Sequence, residues 1–140
     1  MPSERIDCFL DTNVLIYAAQ VRSRDERRTD IARHIALSLV FGVSAQSLAE
    51  FYSLTTDRAR TRMPIEQTDR WIRFLSPCPF TPVEQGIVSR GIALSRNYRI
   101  TYYDAALLAA AERLGAPVFY SEDLNHGQIY GAVRVVNPFL

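Results

Sequence analysis

Apolar positions along this chain form two patterns, short continuous runs and longer segments with one apolar face. Five short runs predict β-strands, at residues 6–10, 42–44, 78–80, 117–120 and 133–136. The longer segments have apolar residues every three or four positions, which is typical of amphipathic helices. Because the two kinds of segment alternate, the pattern predicts a three-layer α/β/α fold whose central parallel sheet has four or five strands.

Six helices are predicted in the longer segments. They begin at about residue 14 and then cover residues 24–40, 45–57, 65–75, 81–97 and 101–114. Thr12 or Asn13 is placed to cap the first helix, and Ser44 to cap the third. The segment from Thr81 to Glu84 is typical of a helix start, with Thr81 as the cap, proline at the first position and Glu84 closing a capping box.

Length and composition narrow the class of protein. The 140 residues suffice for one domain with a buried core, and we expect a single domain over residues 1–140. No apolar run approaches the length of a membrane span, and the first residues lack a basic-then-apolar signal pattern, so we expect a cytoplasmic protein without a membrane partner. Cys8 and Cys78 have no CxxC pairing, and both are expected to be buried apolar residues.

The charged residues are unusual in one respect, since all 16 basic residues are arginine. The absence of lysine excludes P-loop phosphate binding and Schiff-base chemistry, both of which need a lysine. Arginine instead suits planar contact with phosphate groups. The net charge is +1.

Four of the 15 acidic residues lie in largely apolar segments. Asp11 and Asp123 each follow a predicted strand, and Glu50 and Asp104 lie near the starts of predicted helices. In a parallel α/β sheet, the carboxyl ends of the strands and the helix starts that follow them meet at one edge, where ligands bind. We therefore expect these four acids to converge at that edge.

Each acid also has a simpler interpretation. Asp11 could be only a turn or cap residue, and Asp123 could belong to an Asx turn. Glu50 could lie at the boundary of the core with its carboxylate in water. Asp104 could only complete a capping box begun by Thr101. The placement of all four together favours a functional site.

A cluster of carboxylates restricts the possible chemistry. Two carboxylates about 4 Å apart repel each other by ~4 kcal/mol at an effective dielectric constant of about 20. Such a cluster needs a bound cation, or some of its members must be protonated. Oxygen ligands without thiolate or imidazole favour Mg²⁺ or Mn²⁺ over Zn²⁺. These ions can activate water for attack on a phosphodiester, so the residues predict metal-dependent hydrolysis of a nucleic-acid backbone.

The segments that contain the acids form an ordered set. They are FLDTNVLIY at residues 9–17, Glu50 within a helix, YDAALLAAA at residues 103–111 and SEDL at residues 121–124. In type and order they resemble the four motifs of PIN-domain nucleases, most closely the VapC-type toxins of bacterial toxin–antitoxin pairs. The resemblance covers essentially the whole chain.

This resemblance implies a fold, an activity and partners. The acids would lie at the carboxyl edge of a central parallel sheet and support Mg²⁺- or Mn²⁺-dependent cleavage of RNA, often tRNA or rRNA. A homodimer held inactive by a small antitoxin is also implied. The site residues implied are the catalytic and metal-binding acids Asp11, Glu50, Asp104 and Asp123, and the supporting residues Thr12, Asn13 and Ser121.

Two choices stay open within this site. Glu122 adjoins Asp123 and could take its place, although the two-residue spacing from Ser121 favours Asp123. Two groups of arginines could contact RNA phosphates, and solvated helix faces are the simpler explanation for both. The groups are Arg22, Arg24, Arg27 and Arg28, and then Arg58, Arg60 and Arg62.

Other functions fit part of the pattern. A phosphatase of the haloacid-dehalogenase type would use Asp11 as a nucleophile, but it needs a second acid where this chain has Asn13, and usually a lysine. A phosphoacceptor receiver domain also relies on a lysine. A non-catalytic domain, whose acids hold a structural cation or dock an arginine-rich peptide, stays open as a third interpretation.

Overall fold

A computed structural model of the chain describes residues 5–20, 25–57 and 63–140. In these ranges a pair of helices follows each of the first three strands, and the last three strands follow one another. None of the helices in them is long and apolar enough to cross a membrane. The elements are β1 Cys8–Leu10, α1 Thr12–Ala19, α2 Glu26–Ser38, β2 Phe41–Ser44, α3 Ala45–Thr56, α4 Ile65–Leu75, β3 Phe80–Thr81, α5 Gln85–Tyr98, α6 Tyr102–Leu114, β4 Val118–Tyr120, β5 Ile129–Tyr130 and β6 Val133–Val136.

All six strands form one sheet in the order β3-β2-β1-β4-β6-β5. The five predicted strands run parallel to one another, with β1 between β2 and β4. The sixth strand, β5, is antiparallel to β6 and is not among the five predicted strands. Its two residues are too few to show a periodicity, and the strand forms because the turn at Gly131 returns the chain onto β6.

The sheet separates two hydrophobic cores, because successive residues of a strand point to opposite faces. On β1, Phe9 belongs to the core under α5 and α6, whereas Cys8 and Leu10 belong to the core under α1 to α4. Phe9 stacks on Phe119 of β4 with ring centroids 5.7 Å apart. Helices cover both faces, so the predicted three-layer α/β/α arrangement is confirmed. Cys78 differs from the prediction, since it is only partly buried.

Two helices begin at residues other than those predicted. Asp11 itself is the N-cap of α1, and both Thr12 and Asn13 lie inside the helix. Glu84 caps α5, because its Oε1 accepts the backbone N–H three residues along at 3.2 Å. Thr81 cannot cap that helix, since pairing with β2 makes it the last, buried residue of β3. Ser44 caps α3 as predicted, in a capping box closed by a serine.

Candidate active site

Two neighbouring strands of the sheet, β1 and β4, carry the site at their carboxyl ends. Asp11 follows β1 and Ser121 follows β4. The backbone N–H of Asp11 donates a 3.0 Å hydrogen bond to the carbonyl of Tyr120, which extends the pairing of the two strands by one residue. The first turn of α1 therefore begins directly beside the loop that follows β4.

Asp11 is held on both of its carboxylate oxygens. The backbone N–H of Thr12 donates to Oδ1 at 2.7 Å, and the Oγ of Ser121 donates to Oδ2, also at 2.7 Å. The Asp11 side chain is buried, with 6% of the residue exposed, and Ser121 is fully buried. Because both oxygens have short donors, the carboxylate has one fixed orientation at the sheet edge.

Asp123 is connected to the same centre through Ser121 and Asn13. The Oγ of Ser121 accepts the backbone N–H of Asp123 at 3.1 Å. The amide of Asn13 donates to Oδ2 of Asp123 at 3.2 Å. Asn13 and Ser121 therefore contact the carboxylates that they were predicted to support. Asp123 itself is exposed, so its carboxylate faces solvent at the mouth of the site.

Glu50 lies in the second turn of α3, and both of its carboxylate oxygens have donors. The Oγ1 of Thr12 donates to Oε1 at 2.8 Å. The side-chain amide of Gln46 donates to Oε2 at 3.2 Å and to the carbonyl of Tyr103 at 3.0 Å. Gln46 thereby ties Glu50 to the first turn of α6. Gln46 is not among the predicted site residues, although its position four before Glu50 places the two on one helix face.

Asp104 is the third residue of α6, which begins after the N-cap Thr101. The Oγ1 of Thr101 accepts the backbone N–H of Asp104 at 3.4 Å, so Thr101 caps the helix, whereas the recorded bonds of these described residues include no capping box closed by the Asp104 carboxylate. The Asp104 carboxylate is only partly buried. It is also close enough to Asp11 to act on that residue electrostatically.

The environment of Asp11 raises the pKa of its carboxyl group. Burial, followed by the charges of Asp123 and Asp104, raises the pKa of Asp11 to about 7, although the hydrogen bonds from Ser121 and Thr12 act in the opposite direction. Desolvation is the largest cause, because a buried carboxylate loses hydration that its hydrogen bonds only partly replace. A raised pKa in a group surrounded by other acids is typical of a functional site.

The donor set fits a hard divalent cation. Asp11, Glu50, Asp104 and Asp123 offer oxygen atoms only, and within the described ranges their hydrogen bonds come from hydroxyl, amide and backbone groups. No ion pair that the structure records in those ranges neutralises any of these four acids. Among the described residues, no group of three or more acid, histidine or cysteine side chains is placed to hold a metal ion in the structure as it stands.

Glu122 points away from the acids. Its Oε1 accepts the hydroxyl of Tyr17 at 3.0 Å, and its Oε2 accepts Nε of Arg28 at 3.2 Å. Asp123 contacts Asn13 instead. Of these two adjacent acids, Asp123 therefore faces the candidate site, and Glu122 joins α1 and α2.

The structure describes only two of the arginines that were considered as RNA contacts. Arg28 is paired with both Asp25 and Glu122, and Arg27 donates to the carbonyl of Phe139 at 2.7 Å. These two side chains therefore have intramolecular partners where RNA contacts were considered. The other arginines considered lie outside the described residues, namely Arg22, Arg24, Arg58, Arg60 and Arg62.

Comparisons with known proteins agree with this architecture. The sequence profile of the PIN domain matches residues 8–132. A toxin–antitoxin complex from Klebsiella pneumoniae is 22% identical, with a TM-score of 0.69 over 94% of this chain and 98% of that chain. VapC20 of Mycobacterium tuberculosis, a toxin that cleaves the sarcin-ricin loop, is 19% identical, with a TM-score of 0.64 over 84% of this chain and 90% of that chain.

A third structure extends the comparison. VapBC2 from Rickettsia felis, bound to a DNA fragment from its promoter, is 16% identical, with a TM-score of 0.59 over 93% of this chain and 97% of that chain. No curated protein sequence matches the chain significantly. At these identities the solved structures establish a shared fold, whereas the profile match covers most of the sequence. The chain belongs to the PIN domain family.

Proposed function

We propose that this chain is a metal-dependent endoribonuclease that hydrolyses RNA phosphodiester bonds, and that it is the toxin of a type II toxin–antitoxin pair. The observation that carries the proposal is Asp11, a buried carboxylate at the carboxyl edge of a PIN-domain sheet. Burial raises the pKa of Asp11 most, and the charges of Asp123 and Asp104 raise it further. A fold maintains such an arrangement at a cost in stability, which is typical of residues retained for chemistry.

Asp11, Glu50, Asp104 and Asp123 are the residues that would hold a Mg²⁺ or Mn²⁺ ion. When bound, such an ion lowers the pKa of a water molecule and stabilises the charge that develops on the phosphate. Oxygen ligands of this kind match the preference of both ions. The same charge would compensate the repulsion among the acids and favour the ionised form of Asp11.

The neighbouring polar residues orient these carboxylates. Ser121 and the backbone of Thr12 fix the two oxygens of Asp11, while Asn13 orients Asp123. The Thr12 hydroxyl and Gln46 do the same for Glu50. Because each donor is neutral, it holds its carboxylate in place without cancelling the negative charge that a cation needs.

The phosphatase alternative is weaker on these contacts. The position two residues after Asp11, where that chemistry places its second acid, is Asn13, and its amide contacts Asp123. A non-catalytic cation-binding domain is the remaining alternative, and the experiment below separates it from a nuclease.

The biological setting is part of the same proposal. The similar structures include toxin–antitoxin assemblies, which supports a small antitoxin as the partner of this chain. We extend the proposal to tRNA or rRNA as the substrate, to a cytoplasmic location and to a homodimer. Each chain would contribute one PIN domain.

The decisive experiment compares wild-type protein with Asp11→Asn on total RNA in Mg²⁺ or Mn²⁺, with new RNA ends mapped by sequencing. We expect discrete cleavage by the wild type, none by Asp11→Asn and none by the wild type in EDTA. Asp69→Asn, an exposed acid on α4, is the matched control and should cut normally. Binding of Mn²⁺ without any RNA cleavage by the wild type would refute the nuclease and favour a non-catalytic domain.

A further inference from the structure

Three consecutive residues after β4 are anchored in three different directions. Ser121 binds Asp11, Glu122 binds Tyr17 and Arg28, and Asp123 binds Asn13. The middle contact is the only one of the three that reaches α2. Asp123 is exposed, so burial does not fix its side chain, and its direction depends on the backbone to which it is attached.

Arg28 is itself firmly placed by contacts from several segments. Its guanidinium pairs with Asp25 through Nη1 and with Glu122 through Nε. The same group lies over the ring of Phe139, 5.4 Å from the centroid. Tyr17 packs edge-on against that ring at 5.4 Å. Since Phe139 is buried, Arg28 presents Nε to Glu122 from a rigid support.

We propose that the Arg28–Glu122 ion pair is a positioning device for Asp123, an inference that rests on the proposed metal-dependent function. The pair holds the backbone at Glu122 against α1 and α2, and this directs the next side chain towards Asn13 and the acid cluster. Glu122 and Arg28 are positioning residues, since no hydrogen bond or ion pair recorded among the described residues joins either of them to Asp11, Glu50 or Asp104. Arg28 therefore acts on the metal site through the loop and is not an RNA contact.

The chemistry of the pair explains why an arginine occupies position 28. Its guanidinium binds two carboxylates with two different nitrogen atoms, which the compact ammonium of lysine cannot do in the same geometry. The guanidinium also offsets part of the negative charge of Glu122, which adjoins Asp123. Loss of Arg28 should therefore both loosen the loop and leave an unpaired acid beside the site.

The test is a Mn²⁺ titration by calorimetry of the folded proteins, which needs no RNA cleavage. We expect Arg28→Ala and Glu122→Ala each to weaken Mn²⁺ affinity about tenfold, in the range seen when residues that orient metal ligands are removed. The double variant should be no weaker than either single variant, because both remove the same contact. Arg28→Lys, which keeps the charge and protects the fold, should lie between these variants and the wild type.

Two controls separate positioning from general destabilisation. Glu122→Gln should bind Mn²⁺ within about threefold of the wild type, because its amide oxygen can accept from Arg28 and its amide nitrogen can donate to Tyr17. Arg90→Ala removes a comparable pair with Glu112, at 2.7 Å and near the opposite end of α6 from Asp104, and should leave Mn²⁺ affinity unchanged. In RNA cleavage, Arg28→Ala should lower kcat and leave KM unchanged.

Opposite results would overturn the inference. If Arg28→Ala behaved like Arg90→Ala in the Mn²⁺ titration, the pair would be merely structural. If it raised KM for RNA with Mn²⁺ affinity and kcat unchanged, Arg28 would be an RNA contact. Failure of the proposed nuclease function would give a different result. The wild type would bind Mn²⁺ and cut no RNA, and the Arg28 and Glu122 variants would still weaken Mn²⁺ binding.

Discussion

Ser121 donates a 2.7 Å hydrogen bond to Asp11 across 110 positions of sequence, from the end of β4 to the end of β1. The same hydroxyl accepts the backbone N–H of Asp123 at 3.1 Å. One buried side chain therefore fixes two of the four acids relative to each other. This arrangement exists because β1 and β4 are neighbours in the sheet.

Replacement of Ser121 with alanine should impair catalysis more than folding. The variant loses the hydrogen bond that lowers the pKa of Asp11, so the ionisation of Asp11 should move to higher pH. We expect kcat in Mn²⁺ to fall about tenfold to a hundredfold, with the acid limb of the pH–rate profile displaced upward. Ser89→Ala, at an exposed position of α5, is the control and should change neither quantity. An unchanged profile for Ser121→Ala would argue against this role.

The stability of the metal-free protein should fall as the pH rises. The pKa of Asp11 is raised to about 7 in the folded chain, from the ordinary aspartate value of 3.8, so between these values the folded state binds a proton that the unfolded state has lost. Its contribution is fully present below pH ~4 and is lost as the pH rises through about 7, which amounts to ~2–4 kcal/mol.

Urea denaturation in EDTA at pH 5 and pH 8 measures this change. Asp11→Asn carries no titrating carboxylate and should remove most of the difference between the two pH values. Addition of Mg²⁺ at pH 8 should restore stability to the wild type only, because a bound cation favours the ionised carboxylate. Equal pH dependence in the wild type and Asp11→Asn would contradict the raised pKa.

Gln46 should matter for the site although it is not an acid. Gln46→Ala removes the amide that joins Glu50 to the carbonyl of Tyr103, so Glu50 loses one of its two donors. We expect Mn²⁺ affinity to fall about tenfold, with stability changed by less than ~1 kcal/mol. Gln85→Ala, at an exposed position in the first turn of α5, should have no effect on Mn²⁺ binding. If Gln46→Ala and Gln85→Ala bound Mn²⁺ equally well, Gln46 would have no role in the site.

Two glycines with positive φ should respond differently to alanine. Gly115 ends α6 at φ 77°, and an added Cβ there would meet no atom within 4 Å, so Gly115→Ala should cost only the backbone strain of ~1 kcal/mol. At Gly131, with φ 60°, an added Cβ would lie 2.5 Å from Oε2 of Glu112 and 2.9 Å from Nη2 of Arg90. Gly131→Ala should therefore cost more, ~2 kcal/mol or above, in urea denaturation. Similar losses of stability in Gly115→Ala and Gly131→Ala would mean that the ion pair of Arg90 and Glu112 moves aside freely.

The main elements of the fold follow from the sequence alone. The five parallel strands and the alternation with helices were predicted, because apolar spacing acts between residues that are close along the chain. Helix α4 has the predicted bounds of Ile65–Leu75. The family resemblance was also readable in local segments, and the profile match to the PIN domain confirms it.

Helix starts were harder to predict where tertiary contacts compete with local preference. Thr81 has a good capping side chain, but its pairing with β2 holds it in a strand, and Glu84 caps α5 instead. Asp11 serves as a cap and lies at the centre of the acid cluster, so the two interpretations of this residue are compatible. The sixth strand likewise depends on a neighbour, because β5 exists only through its pairing with β6.

The sequence by itself determined which residue types lie at the carboxyl edge of the sheet, because strand ends and helix starts are local features. Only the tertiary structure decided how those side chains are used. Glu122 and Asp123 are adjacent acids, yet one pairs with Arg28 and the other with Asn13. Gln46 can bind the carbonyl of Tyr103 because α3 lies beside α6. These assignments depend on distances between elements far apart in the chain, which no local pattern of residues specifies.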